Sequence, residues 1–248
     1  MRYHEIAERY RHILNPFSHS KLIRVAHIAG IRKGMQVLDL ACGKGEMLCQ
    51  WARCFGISGV GVDRSNVFLE AARKRAKELS VVDHVEFVEG DAGNYAIETN
   101  RYNVICCIGA TWIRGSLDGT LQFMQSGVSQ GGLLIVGEPF WRQPPLPEEY
   151  KRMLTSTDLD FRDLAGTLNR IELNGIEPIS MVLANEDDWD RYETANWRSV
   201  QEWVHENPKD NDAAKFLEIM RRERETYLRW GRSYLGWGVF IGHKSTEE

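Results

Sequence analysis

At 248 residues, 43% of them hydrophobic, the chain can bury one sizeable α/β core with room for an insertion or cap. A net charge of −4 supplies no general pull toward nucleic acid or an anionic membrane; the cations clustered at residues 73–77 and 221–224 read as solvated helix faces. The five cysteines form no Cys-x-x-Cys pair and the seven histidines show no ligand spacing, so no metal is expected, and reduced thiols fit a cytoplasmic protein.

Residues 1–14 have helical spacing, with Tyr3, Ile6, Tyr10 and Leu14 near one face, until Asn15-Pro16 breaks the pattern. This stretch is charged and lacks an apolar core, so no signal peptide is expected, and no apolar run approaches a membrane span. Residues 20–28 predict a second helix. Strands and helices then alternate: strands at 35–40, 59–63, 85–88, 104–108 and 133–136, helices at 47–54, 67–79 and 119–124. Such alternation implies right-handed crossovers and a parallel sheet. Unbroken apolar strands fit a sheet covered by helices on both faces. Residues 139–147 interrupt the pattern with prolines. A helix at 161–174, a sixth strand at 176–184, helices at 191–205 and 213–234, and a short aromatic seventh strand at 236–242 complete the chain.

The first strand runs into Asp39-Leu40-Ala41-Cys42-Gly43-Lys44-Gly45. Glycines let the backbone pass under a ligand, and the following helix begins with free N–H groups aimed at it. Asp63 ends the second strand and Asp91 follows the third, so three carboxylates converge on the crevice beyond the strand ends. Strand-end acids also serve as ordinary helix caps and turn formers, but three in succession beside a glycine turn favour nucleoside binding. A nicotinamide enzyme fits less well. The third glycine of its fingerprint is absent, and Glu46 at the helix start repels a diphosphate.

These segments resemble the motifs of class I S-adenosylmethionine (SAM)-dependent methyltransferases, strongly over residues 33–137. The resemblance implies a Rossmann-like seven-stranded sheet with its last strand antiparallel, helices on both faces and a helical cap. One domain would span 1–248: an N-terminal helical lid at 1–30, a SAM-binding core at 33–138, cap insertions at 139–175 and 185–235, and final strands at 176–184 and 236–242. It assigns the cofactor to Asp39, Ala41, Gly43, Gly45, Asp63, Arg64, Asp91, Ala92 and Gly109, with Asp63 on the ribose and Asp91-Ala92 on the adenine edge. The runs at 109–112, 137–143 and 189–193 are further similar to a bacterial YjhP-like group of methyltransferases.

The acceptor side is less constrained. Trp112 lies beyond strand four, where an indole face can shape a substrate pocket or stabilise a cation. Glu138 ends strand five and is a candidate base. Trp141 and Arg142 are candidates for the pocket mouth, and Tyr10 for the lid. Plain packing or loop anchoring would account for each of these equally simply. Asn15-Pro16-Phe17 echoes a signature of amino-directed nucleic-acid methyltransferases, but it lacks the second proline and does not follow strand four, so it is set aside. The expected reaction is methyl transfer from SAM to a small-molecule acceptor, with an RNA or protein methyltransferase, or a non-catalytic SAM-binding protein, as alternatives. Nucleic acid and membrane are not expected partners, and the oligomeric state is left open.

Overall fold

In the computed structural model, which describes residues 1–245, one seven-stranded sheet organises the chain. Its strands are β1 (Gln36–Leu40), β2 (Ser58–Asp63), β3 (Val85–Glu89), β4 (Tyr102–Ile108), β5 (Val128–Trp141), β6 (Ile176–Leu183) and β7 (Leu235–Lys244). They lie in the order β3-β2-β1-β4-β5-β7-β6. Pairings among β1 to β5 are parallel, whereas β7 runs antiparallel to both β5 and β6, as the resemblance implies.

The helices are α1 (Arg2–Ala7), α2 (His19–Ile28), α3 (Glu46–Phe55), α4 (Asn66–Glu78), α5 (Leu117–Gln125), α6 (Glu148–Lys151), α7 (Ser156–Leu159), α8 (Leu164–Leu173), α9 (Glu186–Glu206), α10 (Ala213–Thr226) and α11 (Arg232–Tyr234). Ser18, Ser65, Ser116 and Asp163 cap α2, α4, α5 and α8 by accepting a backbone N–H. Helix α3 differs. Its N-cap is Gly45 at φ 64°, with no side chain to satisfy the first turn.

Two apolar layers sandwich the sheet. On one face α2, α3 and α4 pack through Leu22, Val25, Leu48, Trp51 and Leu69 onto Val37, Cys106, Ile135 and Val239. On the other, α5 and α8 pack through Leu121, Met124 and Ile171 onto Leu38, Cys107, Leu134 and Val136. Period-two alternation along each strand divides its side chains between the two layers. A third cluster joins α1 to α9 and α10 through Ala7, Val200, Phe216 and Met220.

The elements depart from the sequence expectation in four places. Helix α1 ends at Ala7, because the carbonyls of Glu8, Arg9 and Arg11 turn to the ammonium of Lys44 instead of continuing a helical ladder. Strand β5 continues through the prolines to Trp141, paired with β7 as far as Leu235. Its pairing with β4 stops at Gly137, so Pro139 stands where one edge of β5 is free. Helix α9 starts five residues early, at Glu186 rather than Arg191, behind a reciprocal cap between Asn185 and Asp188. The expected helix over 213–234 is instead α10, a π-helical stretch at Tyr227–Gly231, and α11. Among the described residues, no helix is long and apolar enough to cross a membrane.

Candidate active site

A cavity of about 280 Å³ opens beyond the strand ends of β1, β2 and β4. Asp39, Ala41, Gly43, Asp63, Arg64, Asp91, Ala92, Gly109 and Trp112 line it, so the structure brings nine of the sequence-selected residues together. The outer wall comes from the N-terminal segment, through Met1, His4, His12, Leu14 and Asn15.

The three acids sit differently. Asp39 is buried beside β4, and its carboxyl is raised well above the usual range, first by burial and then by the charge of Asp63. No protein donor among the described residues relieves it. Asp63 accepts the backbone N–H of Gly43 at 2.9 Å and that of Ser65 at 2.8 Å, so it fixes the glycine turn while facing the cavity. Asp91 caps the short 3₁₀ turn at Ala92–Asn94, accepting Gly93 N–H at 3.0 Å and the Asn94 side chain at 2.6 Å. The ordinary capping role of a strand-end acid thus coexists with a place on the cavity wall.

The two glycines of the turn have different neighbours. A Cβ on Gly43, at φ 53°, would approach the end of the Leu14 side chain at 2.7 Å, on the cavity wall. A Cβ on Gly45 would strike the Phe87 ring at 2.4 Å and Ala72 at 3.0 Å, inside the core. Gly45 does not line the cavity; it lets α3 pack against α4 and β3.

Four sequence candidates lie elsewhere. Glu138 shares the face of Leu134, Val136 and Phe140, on the opposite side of the sheet from the cavity-lining Val239. It is hydrogen-bonded to the Thr111 hydroxyl, and burial pushes its carboxyl up to about 7, against the opposing effects of Thr111 and Arg170. Trp141 is buried in an aromatic cluster with Tyr150 and Phe161. With Arg142 it borders a separate hollow between β5 and the start of α9. Tyr10 is 55% exposed and carries Arg9 and Arg198 on its ring, at 4.4 and 5.7 Å. Trp112 does line the cavity, but beside Arg64, whose guanidinium lies 5.5 Å from its ring, at the Asp63–Asp91 end.

Other residues were not legible as site residues. Lys44, in the middle of Gly-Lys-Gly, turns away from the cavity and donates to the carbonyls of Glu8, Arg9 and Arg11 at 2.7, 3.1 and 2.8 Å. Glu8, fully buried, accepts from Arg11 and from the Tyr192 hydroxyl of α9. The glycine turn, the N-terminal segment and α9 are therefore tied into one network. Asn15, set aside on sequence grounds because it does not follow strand four, reaches the end of β4 from the N-terminal side and donates to Ile108 O at 3.3 Å. His4, Phe17, Tyr192 and Trp237 also line the cavity. Only the glycine-flanked position of Lys44 offered a local signal; the others depend on long-range packing.

A parallel sheet with one reversed strand, an uncapped helix behind a glycine turn and three strand-end acids in one cavity define a Rossmann-like nucleoside-binding domain. Residues 37–132 match the methyltransferase domain family. YjhP of Escherichia coli is 37% identical over 95% of both chains. A SAM-dependent methyltransferase from Geobacter sulfurreducens, crystallised with S-adenosylhomocysteine, superposes with a TM-score of 0.93 at 40% identity, over 98% of this chain and 97% of that one. One from Thiobacillus denitrificans, also with S-adenosylhomocysteine, gives 0.92 at 39% identity over 98% of each. The chain belongs to the SAM-dependent methyltransferase family. It is an enzyme that uses SAM as methyl donor. Its buried, donor-free Asp39 and positive-φ glycine turn suit a cationic, nucleoside-bearing ligand.

Proposed function

We propose that the chain transfers the methyl group of SAM to a small-molecule acceptor bound in the same cavity. SAM supplies an electrophilic methyl on a sulfonium and leaves as S-adenosylhomocysteine. Asp39 takes the cationic amino-acid end, where a bound ammonium offsets the buried charge. Asp63 holds the ribose hydroxyls, and Asp91 with Ala92 reads the adenine edge. Arg64 and Trp112 flank the adenine. Gly43 gives the close backbone approach, and Ala41 and Gly109 line the wall beside it. The N-terminal segment and α9 form the cover that excludes water.

The observation that carries the small-molecule reading is the shape and charge of the cavity. The N-terminal segment walls its outer side, and the lining carries the acids Asp39, Glu46, Asp63 and Asp91. A polyanion has no basic track into it. The free cysteines, all reduced among the described residues, suit a cytoplasmic enzyme.

Titration calorimetry with S-adenosylhomocysteine, followed by a cell-metabolite pool scored for its release from SAM, tests this. Asp63→Ala should weaken binding by about 1.5–3 kcal/mol, the scale of lost charged hydrogen bonds. Unchanged affinity in a folded variant would refute the ribose assignment. Turnover on RNA or protein but on no metabolite would overturn the acceptor reading.

A further inference from the structure

We propose that the β7 end of the cavity is the acceptor subsite, and that it takes an uncharged, mainly apolar molecule whose single O–H or N–H is held by Asn15. This rests on the reading above that the acid end holds the cofactor.

The sheet order separates the two ends. The acids come from β1, from β2 and from the end of β3, whereas Trp237 and Val239 lie on β7, three strand positions beyond β1. At about 4.8 Å per strand, that is some 14 Å from Asp39's strand, room for a second molecule along the same crevice. The β7 end is apolar. Trp237 meets Phe17 edge-to-face at 5.3 Å, and Leu22 and Val25 of α2 complete the wall, all of them buried.

Charge decides the class. Among the described lining residues, the one Lys or Arg is Arg64, at the far end beside Trp112. A phosphate or carboxylate at the β7 end would be desolvated with no counter-charge in the lining, and Arg11, over the Tyr192 ring, is already paired with Glu8. A cation fares little better, because the lining carboxylates all lie toward the acid end and the cofactor's ammonium uses Asp39. Tyr192 is already engaged by Glu8 at 3.0 Å.

Asn15 is the polar exception. Its Nδ2 donates to Ile108 O, which leaves Oδ1 as the acceptor, with no protein donor among the described residues. A Cβ on Gly109 would lie 2.1 Å from that oxygen, so glycine is what admits the amide at the tip of β4. An acceptor O–H or N–H placed there is oriented by a carbonyl that an apolar wall otherwise isolates.

Three probes of one shape test this on the full chain saturated with S-adenosylhomocysteine: 2-naphthol, 2-naphthoate and 2-methylnaphthalene, followed by calorimetry and ligand-observed NMR. The neutral naphthol should bind about tenfold more tightly than the naphthoate, since the anion is desolvated without a partner. Val25→Trp should abolish binding of both neutral probes while leaving S-adenosylhomocysteine affinity intact. Asn15→Leu, which does not depend on that core change being tolerated, should weaken naphthol about fivefold and leave 2-methylnaphthalene unchanged. Equal or tighter binding of the naphthoate, failure of both neutral probes to bind the saturated protein, or naphthol binding indifferent to Asn15→Leu would overturn the proposal. Failure of S-adenosylhomocysteine itself to bind would instead overturn the assignment of the acid end.

Discussion

Asp39, Asp63 and Asp91 at the tips of β1 to β3, and Glu138 near the tip of β5, look alike along the chain: each closes an apolar run. The first three meet in one cavity, and the fourth is buried on the opposite face of the sheet against Thr111. The difference is parity. Asp39 shares the face of Val37 and pairs in register with Cys106, which pairs with Ile135, all in the layer under α2 and α3. Glu138 follows Gly137, which is level with Ile108, and so falls on the side of α5 and α8. Which strand end carries an acid is written locally. Which face it takes depends on register, and a one-residue step reverses it.

The largest expected effect separates two glycines of the same turn. Both have positive φ, so a β-branched residue is strained at either. Gly45→Val also drives a side chain into Phe87 and Ala72 and should lower stability by about 3–5 kcal/mol. Gly43→Val meets only the mobile end of Leu14. It should lose about 1–2 kcal/mol of stability but bind S-adenosylhomocysteine no better than Asp63→Ala. Urea unfolding and calorimetry on the pair check this; equal unfolding free energies would show that the two positions are not distinguished by the core.

The same contrast explains how much was legible. The βαβ alternation, the glycine turn and the strand-end acids are short-range patterns, and residues 33–137 give the parallel half of the sheet directly. The reach of β5 was hidden because prolines at 139 and 144 read as an interruption, while pairing with the distant β7 carries the strand to Trp141. Glu138 was misjudged because buried parallel strands are apolar on both faces, so no alternation marks the face. Trp141, Arg142 and Tyr10 sit near the crevice in sequence order only. Asn15, Phe17 and Trp237 reach it through contacts across 93 to more than 200 residues of chain, as in the Asn15–Ile108 bond and the Phe17–Trp237 contact.

Lys44→Met sharpens the comparison on the N-terminal side. The variant keeps the apolar stem and strips one donor from each of three carbonyls, an expected loss of about 2–3 kcal/mol. Hydrogen exchange should rise at residues 8–12 while the β1 and β4 amides stay protected. Unchanged exchange at 8–12 would mean that the α1–α9 packing, not Lys44, holds the segment.

Glu138→Gln tests the other side of the sheet. With its carboxyl raised from 4.5 to about 7, the folded protein binds a proton that the unfolded chain releases over that window. The native state is therefore penalised as pH rises through it, by on the order of 3 kcal/mol when complete. The amide removes the titration. The variant should match wild type at pH 4 and exceed it in unfolding free energy at pH 8. If Glu138 acted on substrate, S-adenosylhomocysteine release on a found acceptor would collapse; a residue on the far face predicts retained turnover.

The smallest effect belongs to Tyr10. Helix α1 ends three residues before it, so its ring is not carried toward the cavity on a helical face. It is exposed instead, between Arg9 and Arg198, where solvent screens the ring–cation contacts. Tyr10→Ala should leave S-adenosylhomocysteine affinity and the unfolding midpoint at their wild-type values. Asn15, five residues on and in the same connection, should respond to substitution through neutral ligands while the cofactor product binds as before. A loss of cofactor-product affinity in Tyr10→Ala would mean that the cover closes further on binding, carrying Tyr10 inward. Hydrogen exchange over residues 8–15 with and without S-adenosylhomocysteine would then show protection gained at Tyr10 itself.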